Sequence, residues 1–268
     1  MRFTYITILL TLLSAVFTSC EKELDFNYHT IPPITVIEGV LIPDGIRVGI
    51  TLTTPMDEPM NLSRLTDATV SLVDMTTGET HELAPDDNGY YTAHIAGTEG
   101  HDYRLAVERD RCSYNAETEM YGPVDILSAE FNWIKMPYDH VAVFQCKFAD
   151  ATPDTGDCYW VKLYRNGKIY RWTQTDDRGA VDGICSYTVM TTRMDIDEEE
   201  DDDLLLDGDV VTCEVSRISK AMYDYLEALQ NDSNGPAMFT GDKSLGYFIA
   251  TTPVEKSIVF RPDEIPYY

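Results

Sequence analysis

Basic side chains are scarce in this sequence. Across 268 residues, 20 Lys and Arg stand against 46 Asp and Glu, a net charge of −26. Phosphate backbones are held by basic footprints, so nucleic acid is excluded as a partner. A bare anionic membrane surface would repel the chain for the same reason, while divalent cations and basic partners are electrostatically compatible. Long apolar runs are missing too: the stretch at residues 6–17 falls short of the about 20 apolar residues that span a bilayer. Histidine is sparse and scattered (His29, His81, His94, His101, His140), with no pair at metal-ligand spacing. The stretch HELAP begins like a zinc-protease helix, yet Pro85 stands where the second His belongs. There is no Gly-x-Ser-x-Gly elbow, no phosphate-cradling Gly-rich loop and no CxxC pair. The chain therefore reads as a non-enzyme with no cofactor.

What is present begins with 44% apolar and 11% aromatic residues, enough to fill real cores and exclude wholesale disorder. Arg2, the apolar residues 6–17 and then FTSC ending at Cys20 have the layout of an export signal, residues 1–19. The FTSC box resembles the bacterial lipoprotein cleavage site, with Phe17 where Leu is usual. That resemblance implies that Cys20 is acylated and becomes the first residue of the mature chain. Each buried acyl methylene contributes roughly 0.8 kcal/mol, so two or more chains would hold the protein on a membrane without a spanning helix. Residues 20–33 read as a polar tether ending in Pro32 and Pro33, with Glu21, Glu23 and Asp25 beside the anchor. In Bacteroidota lipoproteins such an acidic stretch resembles a signal for display on the outer cell face.

Past the tether the pattern is mostly β. Ile46, Val48, Ile50 and Leu52 alternate with Arg47, Gly49, Thr51 and Thr53, the period of a half-buried strand, and Tyr103, Leu105 and Val107 repeat it. Gly78, and Asn88 with Gly89, stand where tight turns need positive φ. Strand signals at this spacing predict an immunoglobulin-like or prealbumin-like β-sandwich over residues 34–122, with a boundary at Gly122 and Pro123. Residues 123–268 predict a second β-rich domain. Ala142, Phe144, Cys146 and Phe148 share a strand face, Val211, Cys213 and Val215 another, and YRNGKIY is a hairpin turning at Asn166 and Gly167. Ile218, Ala221, Met222, Tyr225, Leu226 and Leu229 recur at three and four, which predicts one amphipathic helix near 218–231 packed on a sheet. A last strand pair is expected through GYFIATTP and KSIVF.

The leader ending at Cys20, together with VIEGVL, DATVSLVD, DNGYY, YRLAVE, GDCYWVKLYRNG, DDRGAVDG, GDVVTCEVSRISKAMYDYLEALQ and LGYFIA, occurs in an order that resembles one family. It is an uncharacterised family of Bacteroidota outer-membrane lipoproteins, of the domain-of-unknown-function 4249 type, often encoded beside TonB-dependent receptors. The resemblance implies a cell-surface outer-membrane lipoprotein, an accessory to a TonB-dependent receptor in nutrient uptake. It supplies no reaction and no catalytic residues.

Three local features carry chemistry. Ten acidic residues fall within residues 195–209. Self-repulsion makes a solvated inter-strand loop the first reading, with weak cation or basic-partner contact through Asp195, Asp197, Asp207 and Asp209 as the second. Asp176, Asp177, Arg178 and Asp182 form a charged cluster between two strands, read first as a turn-locking hydrogen-bond set and second as a ligand site. Besides Cys20 there are Cys112, Cys146, Cys158, Cys185 and Cys213: an odd count, with Cys146 and Cys213 fitting buried positions and Cys158 with Cys185 an open pairing. Trp133, Trp160 and Trp172 fit core packing first and a sugar platform second. Two function classes follow: a lipid-anchored binding or accessory module, or a structural or adhesive surface protein.

Overall fold

The alternation read from the sequence becomes seven strands in the first half: β1 (Thr35–Ile42), β2 (Gly45–Leu52), β3 (Thr69–Asp74), β4 (Thr80–Pro85), β5 (Tyr91–Ala93), β6 (Asp102–Arg109) and β7 (Cys112–Tyr121). The structure is a computed structural model that describes residues 32–55, 58–59, 61–137, 140–152, 156–193, 204–233 and 235–266. The proposed leader, Cys20 and most of the tether lie outside the described residues. In β2, Ile46, Val48 and Ile50 are buried and Arg47 is exposed; in β6, Tyr103, Leu105 and Val107 are buried. Gly78 and Gly89 take φ of +81° and +77° at their turns, as tight hairpins require.

The second half supplies β8 (Ile126–Lys135), β9 (His140–Ala149), β10 (Cys158–Arg165), β11 (Lys168–Asp176), β12 (Ile184–Arg193) and β13 (Val210–Ile218). Helix α1 (Lys220–Gln230) follows, then β14 (Thr240–Gly241), β15 (Ser244–Thr251) and β16 (Val254–Val259). Sheets ordered β12-β9-β8 and β11-β10-β13-β16 face each other across Phe131, Phe144, Phe148, Tyr159, Leu163 and Phe260. First, second and fifth strands in one sheet and third, fourth, sixth and seventh in the other is an immunoglobulin-like arrangement. The β10–β11 hairpin turns at Asn166 (φ +50°) and Gly167 (φ +79°), the two positive angles of a type I′ turn. The fold is mainly β with one α-helix among the described residues.

The last strands depart from expectation. β15 and β16 do not pair with each other: β16 joins β13, while β15 runs parallel to β1 in the register Glu38↔Tyr247 and reaches β7 at its end. β14 also adds to β7. The first-half sheets therefore run β14-β7-β15-β1-β2-β5-β4-β3-β6 and close on themselves through β6–β7. Residues 240–251 complete the first sandwich, so the boundary at Gly122 and Pro123 does not divide two self-contained domains. Residues Pro33–Tyr268 form one compact unit. Physically, β1 would otherwise leave an unpaired edge, and a parallel partner must arrive through a long crossover. Gly246 permits the join. It takes φ +101°, and a Cβ there would stand 1.9 Å from the Ile37 carbonyl oxygen.

Helix α1 starts where expected, Ser219 capping it by accepting from the Met222 N–H at 3.1 Å. Its buried face is rotated from the expected stripe: Met222, Tyr223, Leu226 and Ala228 are buried, whereas Ala221 and Leu229 are exposed. The rotation has a cause in the neighbours. Met222 and Leu226 pack with Trp160 and Ile218 from the second sandwich and with Ile249 from β15, so α1 is wedged between the two sandwiches.

Candidate functional site

The outer face of the sheet β15-β1-β2-β5 carries a groove of about 560 Å³. Period two puts Ile37, Leu41, Ile46, Val48 and Phe248 into the core, which turns Glu38, Val40, Ile42, Arg47, Gly49, Thr92 and Tyr247 outward. Register then sets them in two rows. Tyr247, Glu38 and Gly49 lie side by side, and next to them Ile249, Val40, Arg47 and Thr92. Asp44 in the β1–β2 turn and His94 just past β5 finish the rim.

Two tyrosines make the walls. Tyr90 lies over the sheet because Gly49 has no side chain; a Cβ there would approach the Tyr90 Cε1 to 3.2 Å. Arg47 stacks on the Tyr90 ring at 3.5 Å from its centroid and Arg64 at 3.7 Å, and Arg64 also donates to the Tyr90 hydroxyl and to the Asn88 carbonyl. Tyr247 is backed edge-on by Trp160 at 5.8 Å and by Tyr225 of α1 at 6.0 Å. Burial, then the Glu38 carboxylate, pushes the Tyr247 phenol well above its usual range, so it stays a neutral hydroxyl.

The charges at this groove are uncommitted. Acidic groups outnumber basic ones by more than two to one, and among the described residues six arginines hold carboxylates, as Arg109 does with Asp67, Arg165 with Asp209, Arg217 with Asp157 and Arg104 with Glu117. Among the described residues Arg47 has no ion pair, and neither has Glu38. The sequence pattern marked Arg47 as outward-facing and nothing more; Glu38 and Tyr247 carried no local signal at all.

The residues singled out in the sequence go elsewhere. Asp195 and Asp197 lie outside the described residues. Asp207 pairs with Arg261 at 3.2 Å, whereas Asp209 is buried and accepts from Arg165 Nε (2.7 Å), Asn166 Nδ2 (2.7 Å) and the Leu206 N–H (2.8 Å). The solvated-loop reading thus fails at its C-terminal end, where Leu204 and Leu205 are buried and Leu205 joins the second core. Among the described residues no group of three His, Cys, Asp or Glu is placed to hold a metal.

Asp176 caps a 3-10 turn, accepting from the Arg178 N–H and side chain, and Asp177 accepts from the Gly156 and Asp157 N–H groups at 3.0 and 2.8 Å. Asp182, exposed at φ +53°, sits in the turn that follows. The set organises turns: Asp177 steadies the loop whose buried Asp157 accepts at one oxygen, Oδ1, from both Nη2 and Nε of Arg217 at 2.6 and 3.0 Å. Cys158 and Cys185 occupy separate hydrophobic clusters, which removes that pairing, and Cys146 and Cys213 lie inside the second core as free cysteines. Trp133 and Trp160 are buried in separate clusters and Trp172 is half-buried beside Trp160, which leaves no sugar platform.

Fold and groove together define a β-sandwich protein with a ligand-sized recess on an outer sheet face. The chain belongs to the domain-of-unknown-function family DUF4249, whose model matches residues 21–257. No curated protein matches it. Among solved structures, a two-domain fibronectin type III segment of chicken tenascin is 10% identical and aligns over 85% of this chain and 99% of its own, at a TM-score of 0.23. No property of that segment is carried over.

Proposed function

We propose that the protein is a lipid-anchored outer-membrane lipoprotein at the cell surface, which offers the Arg47–Glu38 groove to a ligand and assists a TonB-dependent receptor in nutrient uptake. The observation that carries the binding role is the pair of uncommitted opposite charges in a recess of about 560 Å³, a volume within the usual range of small-molecule sites. Anchoring is supported by the FTSC box ending at Cys20 and the acidic tether after it. Among the described residues no helix is long and apolar enough to cross a membrane, so attachment through a lipid would be the tether's task.

A mild-detergent pull-down of the tagged chain beside a Cys20→Ala control tests this reading. Recovery of a stoichiometric receptor barrel, lost in the control, is the expected result. Recovery of the lipoprotein alone overturns the import role and leaves a structural or adhesive surface protein.

A further inference from the structure

Arg47 and Glu38 point from the same sheet face on neighbouring strands, one register step apart, since Val40 pairs with Arg47 and Glu38 with Gly49. Such diagonal neighbours have Cα atoms about 7–8 Å apart. Salt-bridge geometry is within reach of two long side chains at that spacing, yet the two do not pair. The reason is visible on either side. The Arg47 guanidinium is drawn over the Tyr90 ring, toward β5, while Glu38 acts electrostatically on Tyr247 and Tyr225 at the opposite wall. The groove therefore holds a positive and a negative pole at diagonal positions, with apolar Val40 beside both and Ile42 one step further along β1.

Three ligand classes can be weighed against this. A simple anion would find Arg47 but also meet Glu38, Asp44 and the field of a chain carrying −26, which disfavours its approach. A simple cation would be drawn by Glu38, Asp44 and the chain's field, but it meets Arg47 and leaves that charge unmatched. A zwitterion satisfies both poles and adds no net charge. Its two charges must reach poles whose Cα atoms stand about 7–8 Å apart and whose charged ends diverge toward opposite walls, a span of at least two extended residues at about 3.3–3.6 Å each. We propose, building on the ligand-capture reading above, that the groove binds a short peptide by both ends. The peptide carboxylate docks on Arg47, the terminal ammonium docks on Glu38, and an apolar side chain lies on Val40 and Ile42 between the tyrosine walls.

The test is isothermal titration of the full-length chain in mild detergent with the tripeptide Ala-Leu-Ala, its N-acetylated form and its C-amidated form. Saturable binding of the free tripeptide is expected, weakened at least tenfold by either block. Arg47→Ala should weaken the free peptide as amidation does and leave the amide's affinity unchanged; Glu38→Gln should reproduce the loss on acetylation in the same way. Both positions are exposed, and thermal melts matching the parent exclude misfolding as the cause. Absence of saturable binding, equal affinity for blocked and free peptides, or unchanged affinity in both variants overturns the proposal. If the receptor still co-purifies while peptide binding fails, the ligand assignment alone falls; the converse result sinks the import role and keeps the peptide site.

Discussion

Asp209 offers the sharpest test of how this acidic chain spends its carboxylates. It is 8% exposed and takes three hydrogen bonds, from Arg165 Nε, Asn166 Nδ2 and the Leu206 N–H, all between 2.7 and 2.8 Å. The same residue's carbonyl accepts from Phe260, and Val210 beside it donates to the Asn166 side chain. Replacing Asp209 by Ala removes the carboxylate that Arg165 faces and leaves the Asn166 amide and the Leu206 N–H without this acceptor. Breaking one partner of a buried pair costs about 3–5 kcal/mol, and the partial exposure of Arg165 argues for the lower figure. Asp209→Ala should therefore cost about 3 kcal/mol, or about 6–12 °C in melting temperature at this chain length. Asp207→Ala, at an exposed pair with Arg261, should cost about 0.5 kcal/mol or less.

The pH dependence follows with its sign. Burial alone would raise the Asp209 carboxyl, but the Leu206 N–H, the Asn166 amide and Arg165 outweigh it and hold it below the usual carboxylate value. A depressed folded-state pKa contributes stability that is fully present above the unfolded value of about 3.9 and is lost as pH falls through the folded one. The gap between the wild-type chain and Asp209→Asn should be widest near neutrality and shrink below about pH 4. Urea melts at pH 7, 5 and 3.5 would measure it. Equal losses at Asp207 and Asp209, or a gap that widens in acid, would refute the assignment of Asp209 as a structural anchor of this segment.

Other perturbations test the remaining joints. Gly246→Ala places a Cβ against the Ile37 carbonyl at φ +101° and should cost about 3 kcal/mol or more by chemical denaturation; a loss under about 1 kcal/mol would mean β15 is not seated on β1. Arg217→Ala removes the charged partner of buried Asp157, which keeps two hydrogen bonds from Thr152, and should cost about 2–3 kcal/mol, while Arg178→Ala, at an 80% exposed side chain, should fall within about 0.5 kcal/mol. Burial pushes the Cys158 and Cys185 thiols up to about 11, so in native-state alkylation read by mass spectrometry half-buried Cys112 should react first at pH 8. Cys146 and Cys213 should react only on unfolding, and early labelling of either would contradict the core described for them.

Much of the strand content was legible because period-two alternation is a local property: Ile46, Val48 and Ile50 announce β2 whatever β2 pairs with. The Asn166–Gly167 turn was legible for the same reason, since two residues decide it. Pairing partners are not local. GYFIATTP reads as a strand, but nothing within it states that Tyr247 will stand beside Glu38. The groove was invisible on that account: its poles are ordinary outward positions on strands that meet only through the closed sheet order. The acidic run misled in the opposite direction. Its density argued for a solvated loop, yet Leu204 is buried, Leu205 joins the second core, and the carboxylate of Asp209 ties the end of the run to the β10–β11 turn.

The crossover also explains why a groove built on the first sandwich needs the second. After β13 and α1 the chain leaves the second sandwich, adds β14 to β7, pairs β15 with β1, and returns as β16. The strand that bears Tyr247 is thus held between β14 on β7 of the first sandwich and β16 in the second, and Ile249 and Tyr247 pack on Trp160, Met222 and Leu226. Removing that support would cost apolar burial worth roughly 1.5–3 kcal/mol for each large side chain and would bare the edge of β1. The wall opposite Tyr90 is therefore set by packing between the sandwiches rather than by a loop. Its position relative to Arg47 is as rigid as the sheet register that fixes both.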